Sequence, residues 1–450
     1  MKFFKPTLHN RDNRIVNLSP PTLLALGFLS FIIIGSLLLK LPFAHRGDLS
    51  WLNAIFTATS AVTITGLSVV NVGDTYTVFG KIIIMILLQC GGLGFMTFAI
   101  LAALSLSHKL GIKQQVMAQE VIGQTCLSKV AFTIKGVFLY SLFFEAIGTT
   151  ILTIAWMEDY NFLQALFYAA FYSISAFNNG GFSLFPNSLM SFADQYVITL
   201  TISMLYMIGG IGFVILMDIA KSKRWSKLSV NSKLILTSIA CINLIAFIVI
   251  WSLEASNPLT LAPMSIGDQA LNAWFQATVP RSSGFNSVNL ADMREASALV
   301  TMLLMFIGGG SLSTAGGIKV GTFVIVILSV ITFLRRSPEL RIFDRAVPRH
   351  ISFKALAVIF ITVSLIFLGL FTLLILEPQQ KFIDLLFETV SAACTVGLSR
   401  GITGSLQPAS LCILMILMFA GRLGPLTLAY LIATPQKSRI QRPQTDIQIG

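Results

Sequence analysis

Four short stretches carry the residues best suited to chemistry: residues 56–67 (FTATSAVTITGL), 171–182 (FYSISAFNNGGF), 274–285 (WFQATVPRSSGF) and 387–398 (FETVSAACTVGL). In each, an aromatic residue lies ten positions before a glycine, and Leu or Phe follows that glycine. The glycines Gly66, Gly181, Gly284 and Gly397 recur at intervals of 115, 103 and 113 residues, the mark of a fourfold internal repeat. The chemistry on offer is coordination. An extended Thr395-Val396-Gly397 can turn successive carbonyls one way and replace the water shell of a dehydrated monovalent cation. Glycine supplies the positive φ that such a backbone needs. The candidate coordinating residues are Thr63, Ile64, Thr65 and Gly66; Asn178, Asn179, Gly180 and Gly181; Ser282, Ser283 and Gly284; and Cys394, Thr395, Val396 and Gly397. One such triplet in an apolar chain is ordinarily a packing feature, whereas four copies after equally long apolar segments point to a shared role.

Such loops can share one axis only if apolar elements carry them there. The 450 residues are 55% hydrophobic and 11% charged, with 35 Phe, the composition of an integral membrane protein. Long apolar runs lie at about 20–41, 76–107, 129–156, 195–220, 234–253, 296–334, 353–376 and 408–433. They reach the roughly 20 residues that a membrane-crossing helix requires. Within each pair lies a shorter run that ends in the repeated glycine, at about 56–67, 162–182, 269–285 and 382–398. These must enter and leave on the same side, which is tolerated where backbone lines an aqueous cavity or is buried in protein. The predicted fold is all-α and integral to the membrane. Four span–pore-helix–span repeats surround a central pore, giving eight transmembrane helices and four re-entrant pore helices. The pore helices would aim the negative ends of their dipoles at the cavity. The chain divides into an N-terminal tail (1–19), pore repeats 20–107, 108–220, 221–334 and 335–433, and a C-terminal tail (434–450). The first apolar run lacks a small-residue cleavage site and reads as a retained span rather than a signal peptide.

Charge placement gives the orientation. Under this layout both tails and all loops between repeats share one side. That side carries 22 of the 31 Lys and Arg: four in the N-terminal tail, four in 109–135, five in 221–233, six in 335–354 and three at the C-terminus. The opposite side has Lys40, Arg46, Lys81, Arg294, Lys381 and Arg400. The positive-inside asymmetry puts both termini in the cytoplasm. It also explains the net charge of +12 without a nucleic-acid partner. Asp48, Asp74, Glu158, Asp159, Asp194, Glu254, Asp268, Asp292, Glu295, Glu377 and Asp384 collect outside, where an acidic vestibule would concentrate cations.

Two further features lie inside the spans. The last run of the third repeat is too long for one crossing and contains Gly308, Gly309, Gly310, Ser311, Leu312, Ser313, Thr314, Ala315, Gly316, Gly317, Ile318 and Lys319. So many Gly and Ser residues should break the helix, and a pore can hydrate the freed backbone. Residues 90–95 (CGGLGF), 208–213 (IGGIGF), 308–312 (GGGSL) and 420–424 (AGRLG) follow the repeated glycines at similar distances. Arg422 stands where the other repeats have Gly, and an intramembrane Arg faces a cavity or pairs with a carboxylate such as Glu145 or Glu388. Arg281 and Glu388 read as braces behind the loops. No strand precedes the GGLGF and GGIGF runs, so they are not a dinucleotide fingerprint, and no Walker A sequence is present; the chain is not expected to bind a nucleotide. Cys90, Cys126, Cys241, Cys394 and Cys412 are scattered, which fits neither a disulfide frame nor a metal site. His9, His45, His108 and His350 all lie in loops, so no catalytic cluster is expected within the spans and the chain does not read as an enzyme.

The fourfold arrangement with the filters TITGL, NNGGF, RSSGF and TVGLS resembles the Trk/Ktr/HKT superfamily of potassium transporters. The likeness covers about residues 20–433, and the length looks most like the Ktr branch. It implies a K+-conducting pore inside each subunit, homodimerisation in the bacterial cytoplasmic (inner) membrane, and a cytosolic, nucleotide-binding RCK-type regulatory ring. It also implies that transport depends on Na+. The family has a mobile intramembrane loop beneath the filter that acts as a gate. Carried to this chain, that role falls on residues 308–319, with Arg422 facing the pore nearby. Only one loop is a full TVG, so fewer well-formed ion sites are expected than in a tetrameric potassium channel. An alternating-access secondary cation transporter is the other reading; inverted repeats would favour it, whereas these repeats share one orientation.

Overall fold

The computed structural model describes residues 7–9, 15–17, 20–94, 127–425 and 427. The basic residues Lys2, Lys5, Arg11, Arg14, Lys109, Lys113, Lys437, Arg439 and Arg442 lie outside them, as do Cys126 and the expected ends of the second and eighth spans. Four long helices, Pro20–Leu39, Leu127–Trp156, Val230–Glu254 and Arg349–Leu376, alternate with short and returning ones. By length and hydropathy Gly136–Trp156, Val230–Glu254 and Arg349–Leu376 can each cross a membrane. Their faces expose Leu139, Ile154, Ile245, Phe360, Phe367 and Phe371, side chains whose natural solvent is lipid. Hydroxyls on these helices are hidden by bonding back to their own backbone: Ser36 to Ile32, Thr153 to Thr149, Thr237 to Lys233 and Thr362 to Val358.

Between the spans stand the short helices Trp51–Val62, Phe162–Phe177, Ile266–Thr278 and Phe382–Ala393. Three begin at a side-chain cap, in which Ser50, Asn161 and Ser265 accept from the backbone N–H three residues on. Their second halves are buried, and Phe56, Phe171 and Phe387 are at most 1% exposed. The third copy shifts by one residue: Trp274 is half-buried and Phe275 takes the fully buried place. That helix stops at Thr278 and closes as a 3-10 turn over Val279–Arg281. Pro280 is the physical reason, since it lacks the N–H that would continue the helical ladder after Val279.

The returning helices are Val78–Leu93, Tyr196–Ile211, Glu295–Phe306 and Pro408–Leu423. Three of them depart from the expected long spans, because they end inside the glycine motif rather than running through it; the other ends at Phe306, just before the Gly- and Ser-rich stretch where a break was expected. Gly94, Gly212 and Gly424 cap three of them at φ of 83°, 112° and 82°, where a right-handed helix cannot continue. In the second unit the chain turns by 93° and resumes as Phe213–Ser222. In the third it leaves the helix at Ile307 and resumes as Val320–Leu334. Leucines of the returning helices seat over small residues of the long ones: Leu87 on Gly35, Leu205 on Gly148 and Leu417 on Gly369.

Buried carboxylates fasten the far ends of two such pairs. Glu254 accepts from Thr260, Asn257, the Ser297 hydroxyl and the backbone N–H of Arg294. Glu377 accepts from the N–H of Gln407 and the hydroxyl of Ser410, both at 2.7 Å. Each ends a long helix and caps the start of the returning one, where an anion meets the positive end of the dipole. Strand is confined to Thr7–His9 with Ile15–Asn17 and a hairpin of Arg341–Ile342 with Arg345–Ala346, among the described residues. Phe343 and Asp344, at φ 45° and 61°, form the hairpin's tight turn.

Candidate ion pathway

Each short helix runs into a loop of matching backbone geometry. The second residue before each repeated glycine has positive φ: Ile64 at 51°, Asn179 at 57°, Ser282 at 110° and Thr395 at 50°. The glycines follow, Gly66 at 93°, Gly181 at 67°, Gly284 at 68° and Gly397 at 91°. Amide groups between them turn back to the helix. Thr65, Gly180 and Val396 donate to the carbonyls of Ser60, Ser175 and Ser391, and Ser283 to that of Val279. Gly66 and Gly397 donate to the hydroxyls of Ser60 and Ser391, both at 3.0 Å. A trans peptide is planar, so an N–H turned toward the helix sends the preceding C=O the opposite way. The carbonyls of Ile64, Asn179, Ser282 and Thr395 therefore leave their own helices, as do those of Thr65 and Val396.

The four loops close on one another. A Cβ on Gly66 would lie 2.6 Å from the oxygen of Gly180, one on Gly181 would lie 2.7 Å from that of Ser283, and one on Gly284 would lie 2.9 Å from that of Val396. A Cβ on Gly397 would run into the oxygen of Thr65, which completes the circuit. Each glycine thus faces the carbonyl just before the next glycine, and the four oxygens alternate with the four glycines around a ring. Thr63, Ile64, Thr65, Cys394, Thr395 and Val396 are fully buried within it. Such a ring of oxygens can take up a desolvated cation.

Residues 307–319 pack against one end of this ring. The base of the segment is zipped, with Gly308 N–H donating to Ile318 O and Ile318 N–H to Phe306 O, while Val320 N–H bonds Gly309 O. Gly310 donates to Gly210 O at 2.8 Å and Ser313 to Gly310 O at 2.7 Å. Ser311 is exposed, and its carbonyl abuts Gly212. Gly317 turns the chain back at φ 66° toward Lys319, whose ammonium donates to Ala315 O at 2.6 Å. The tip touches three loops: Asn179 Nδ2 donates to Thr314 Oγ1 at 2.6 Å, and Gly316 N–H donates to Ser282 Oγ at 2.8 Å while its Cα packs on Thr395. Arg422 holds the same tip. Its guanidinium donates to Thr314 O at 3.0 Å and to the carbonyls of Gly91 and Gly92, so its partners are backbone oxygens rather than Glu145 or Glu388.

The glycine motifs acquire a reason here. Gly91, Gly209 and Gly421 each lie so close to the last carbonyl of a short helix (Val62, Phe177 and Ala393) that a Cβ would collide with it. They let the returning helix press directly under the short one.

One placement differs from the sequence reading. The Asn178 side chain is not at the ring. Its Nδ2 donates to Gln89 Oε1 at 2.6 Å and to Glu145 Oε1 at 3.1 Å, in a buried cluster that Ser141 completes. A buried carboxylate needs donors, and the amide at the helix end supplies one. Gln89 and Ser141 were visible only as polar residues in apolar runs. Glu388 accepts from Thr403 at 2.6 Å and from Ser399, tying its short helix to the segment beyond Gly397. Arg281 is 8% exposed behind the third loop. Arg400, not singled out from sequence, pairs with Asp384 at 2.6 Å and donates to the carbonyls of Leu290 and Ala291, binding the fourth unit to the third. Its signal was a basic residue three positions after Gly397.

Residues 24–442 match the family described as "TrkH: Cation transport protein". The chain is 45% identical over 435 residues to Ktr system potassium uptake protein B of Bacillus subtilis, covering 97% of this chain and 98% of that one. It is 30% identical over 441 residues to potassium/sodium uptake protein NtpJ of Enterococcus hirae, covering 96% and 98%. Its fold matches the crystal structure of the potassium transporter TrkH from Vibrio parahaemolyticus with a TM-score of 0.76 at 20% identity, over 95% of this chain and 86% of that one. These relatives are named as transporters, not enzymes. A multi-pass helical chain whose four glycine loops close into one ring of carbonyls, and which matches this family along nearly all its length, belongs to the TrkH cation transport protein family.

Proposed function

We propose that this chain is the potassium-translocating membrane subunit of a Ktr-type uptake system. The circuit of four glycines and four carbonyls carries the reading. In it the filter is made by residues 63–66, 178–181, 282–284 and 394–397, with backbone oxygens replacing the water around K+. Asn178 contributes its backbone and not its side chain. The segment 308–319 acts as the gate: it packs on one end of the ring, and Arg422 holds it there. The name of the Bacillus subtilis relative supports potassium as cargo and a multi-subunit system. That of the Enterococcus hirae relative supports a part for sodium. The remaining parts of the proposal are a homodimer in the cytoplasmic membrane with both termini inside, four pore units of one chain per pore, and a cytosolic nucleotide-binding ring docked on the basic loops. K+ is substrate here, and the nucleotide belongs to the ring.

Purified protein in liposomes, with potassium and sodium varied independently, tests this. Saturable potassium flux that exceeds sodium flux, and that responds to added sodium, is the expected result. Equal flux of both ions at all concentrations would overturn it.

A further inference from the structure

We infer that Ser282 is a positioning residue that couples the intramembrane segment to the carbonyl of Thr395, one residue before the ring oxygen of Val396, so that potassium at these loop carbonyls and the closed segment oppose each other. This rests on the pore reading above. The Ser282 hydroxyl makes two bonds at once. It accepts from Gly316 N–H of the segment at 2.8 Å and donates to Thr395 O of the neighbouring loop at 3.1 Å. Thr395 O is one of the carbonyls directed away from its own helix, because Val396 N–H turns back to Ser391. A hydroxyl hydrogen on that oxygen presents positive charge where a cation would sit. Withdrawal of the segment removes the bond that fixes the hydroxyl and frees Thr395 O for a cation.

The backbone marks the same residue. At this loop position the other three residues have φ between 50° and 57°, within the ordinary left-handed region, whereas Ser282 has φ 110° and ψ 30°. Serine has no intrinsic reason to adopt that conformation, and its surroundings must hold it there. Two hydrogen bonds from different repeats do so. A parallel tie runs through Asn179, which donates to Thr314 and accepts from Ser283 Oγ at 2.9 Å. The segment therefore reaches the second, third and fourth loops through side chains that the sequence alone marks only as ion ligands.

Coupling between two sites is reciprocal. Potassium that weakens the closed segment is a ligand that opens it. The test uses the full chain in lipid nanodiscs without any cytosolic subunit, and follows hydrogen–deuterium exchange of the peptide spanning 308–319. Exchange is compared in potassium and in N-methyl-D-glucamine, a cation too large for a carbonyl ring, at equal ionic strength. Wild-type exchange should be faster in potassium by about fivefold, the lower end of typical site–site couplings. Ser282→Gly keeps the φ permissible and removes the hydroxyl, so exchange should be fast in both media and the potassium dependence lost. Ser282→Ala, which keeps the Cβ, should behave alike. A merely structural serine would speed exchange equally in both media and leave the ratio intact, which would overturn the inference. So would wild-type exchange indifferent to potassium. Flux from the same preparation in liposomes separates the two readings. Selective potassium flux with an indifferent segment sinks the coupling alone; absence of selective flux in the wild type sinks the pore reading and the coupling with it.

Discussion

Gly397 faces the carbonyl of Thr65 so closely that no side chain can stand there. The contact joins the last loop of the chain to the first, 332 positions apart, and it closes the ring. At Gly66 the corresponding oxygen belongs to Gly180, 2.6 Å from where a Cβ would be. A serine at either position must push one oxygen of the ring out of place, and it must also adopt a φ above 90°.

Gly397→Ser and Gly66→Ser should therefore spoil the oxygen ring without disturbing the spans. The expected loss is about tenfold in apparent potassium affinity, equivalent to roughly 1.4 kcal/mol, with poorer discrimination against sodium. Because the two glycines meet in neighbouring loops of one ring, the double variant should lose less than the sum of the singles. Uptake measured over a range of external potassium reads this directly. Undiminished uptake at micromolar potassium in both variants would remove these glycines from the ion path.

Arg422 bridges two elements. It holds the Thr314 carbonyl from one side and the Gly91 and Gly92 carbonyls from the other. Arg422→Ala strips charged donors from buried oxygens, a cost of about 1–3 kcal/mol that should appear as a lower melting temperature in detergent. It also frees the segment, so rubidium flux in liposomes should rise. Arg422→Lys keeps the charge but cannot span both partners with one planar fork. If the guanidinium acts as a clamp, the lysine variant should conduct like the alanine one. A lysine variant with wild-type flux would mean that repulsion of the cation, and not the clamp, sets the barrier.

What could be read from the sequence was whatever repeats. The four loop glycines recur at near-constant spacing, and a fourfold motif survives the degeneracy of its copies; hence the ring residues and the short helices were visible. The returning helices were misjudged because hydropathy continues smoothly past Gly94, Gly212 and Gly424, and only their positive φ ends the helix. Asn178 and Asn179 are adjacent and alike in type. Which one turns toward Glu145 and which toward Thr314 depends on helix phase at a terminus, a quantity that spacing does not encode. Arg400 was read only as an outer-side charge because, besides Asp384, its partners are the backbone carbonyls of Leu290 and Ala291 in another unit.

The packing glycines of the returning helices offer a stability test. Gly91, Gly209 and Gly421 each lie under a short-helix carbonyl, so an added methyl must move backbone rather than a flexible side chain. Gly209→Ala and Gly421→Ala should each destabilise by about 1–3 kcal/mol, the usual cost of overpacking. Gly321, in Val320–Leu334, has nothing within 4 Å of a built Cβ and serves as the control. Gly321→Ala should be neutral or stabilising by up to about 1 kcal/mol through helix propensity alone. Thermal unfolding of the purified proteins ranks them. Equal melting temperatures for the Gly209, Gly421 and Gly321 variants would show that the contacts yield without cost.

Removing the tip of the intramembrane segment tests the gate itself. The base is held by backbone bonds at Gly308, Gly309 and Ile318, none of which involves residues 311–316. Those six residues include Thr314 and Gly316, which meet Asn179, Ser282 and Arg422. Deleting 311–316 should therefore leave the zipped base and the flanking helices in place while clearing the end of the ring. Basal potassium flux should rise, and dependence on the proposed cytosolic subunit should fall if that subunit acts through the segment. Potassium preference should largely persist, since the amide bonds that aim the ring carbonyls run to Ser60, Ser175, Val279 and Ser391, and not to the segment. Flux of the deletion variant with and without its cytosolic partner, in potassium and in sodium, decides the matter. A folded variant with wild-type basal flux and full dependence on the partner would show that the segment is not the gate. A variant with high flux but no ion preference would show instead that the segment helps to hold the ring in shape.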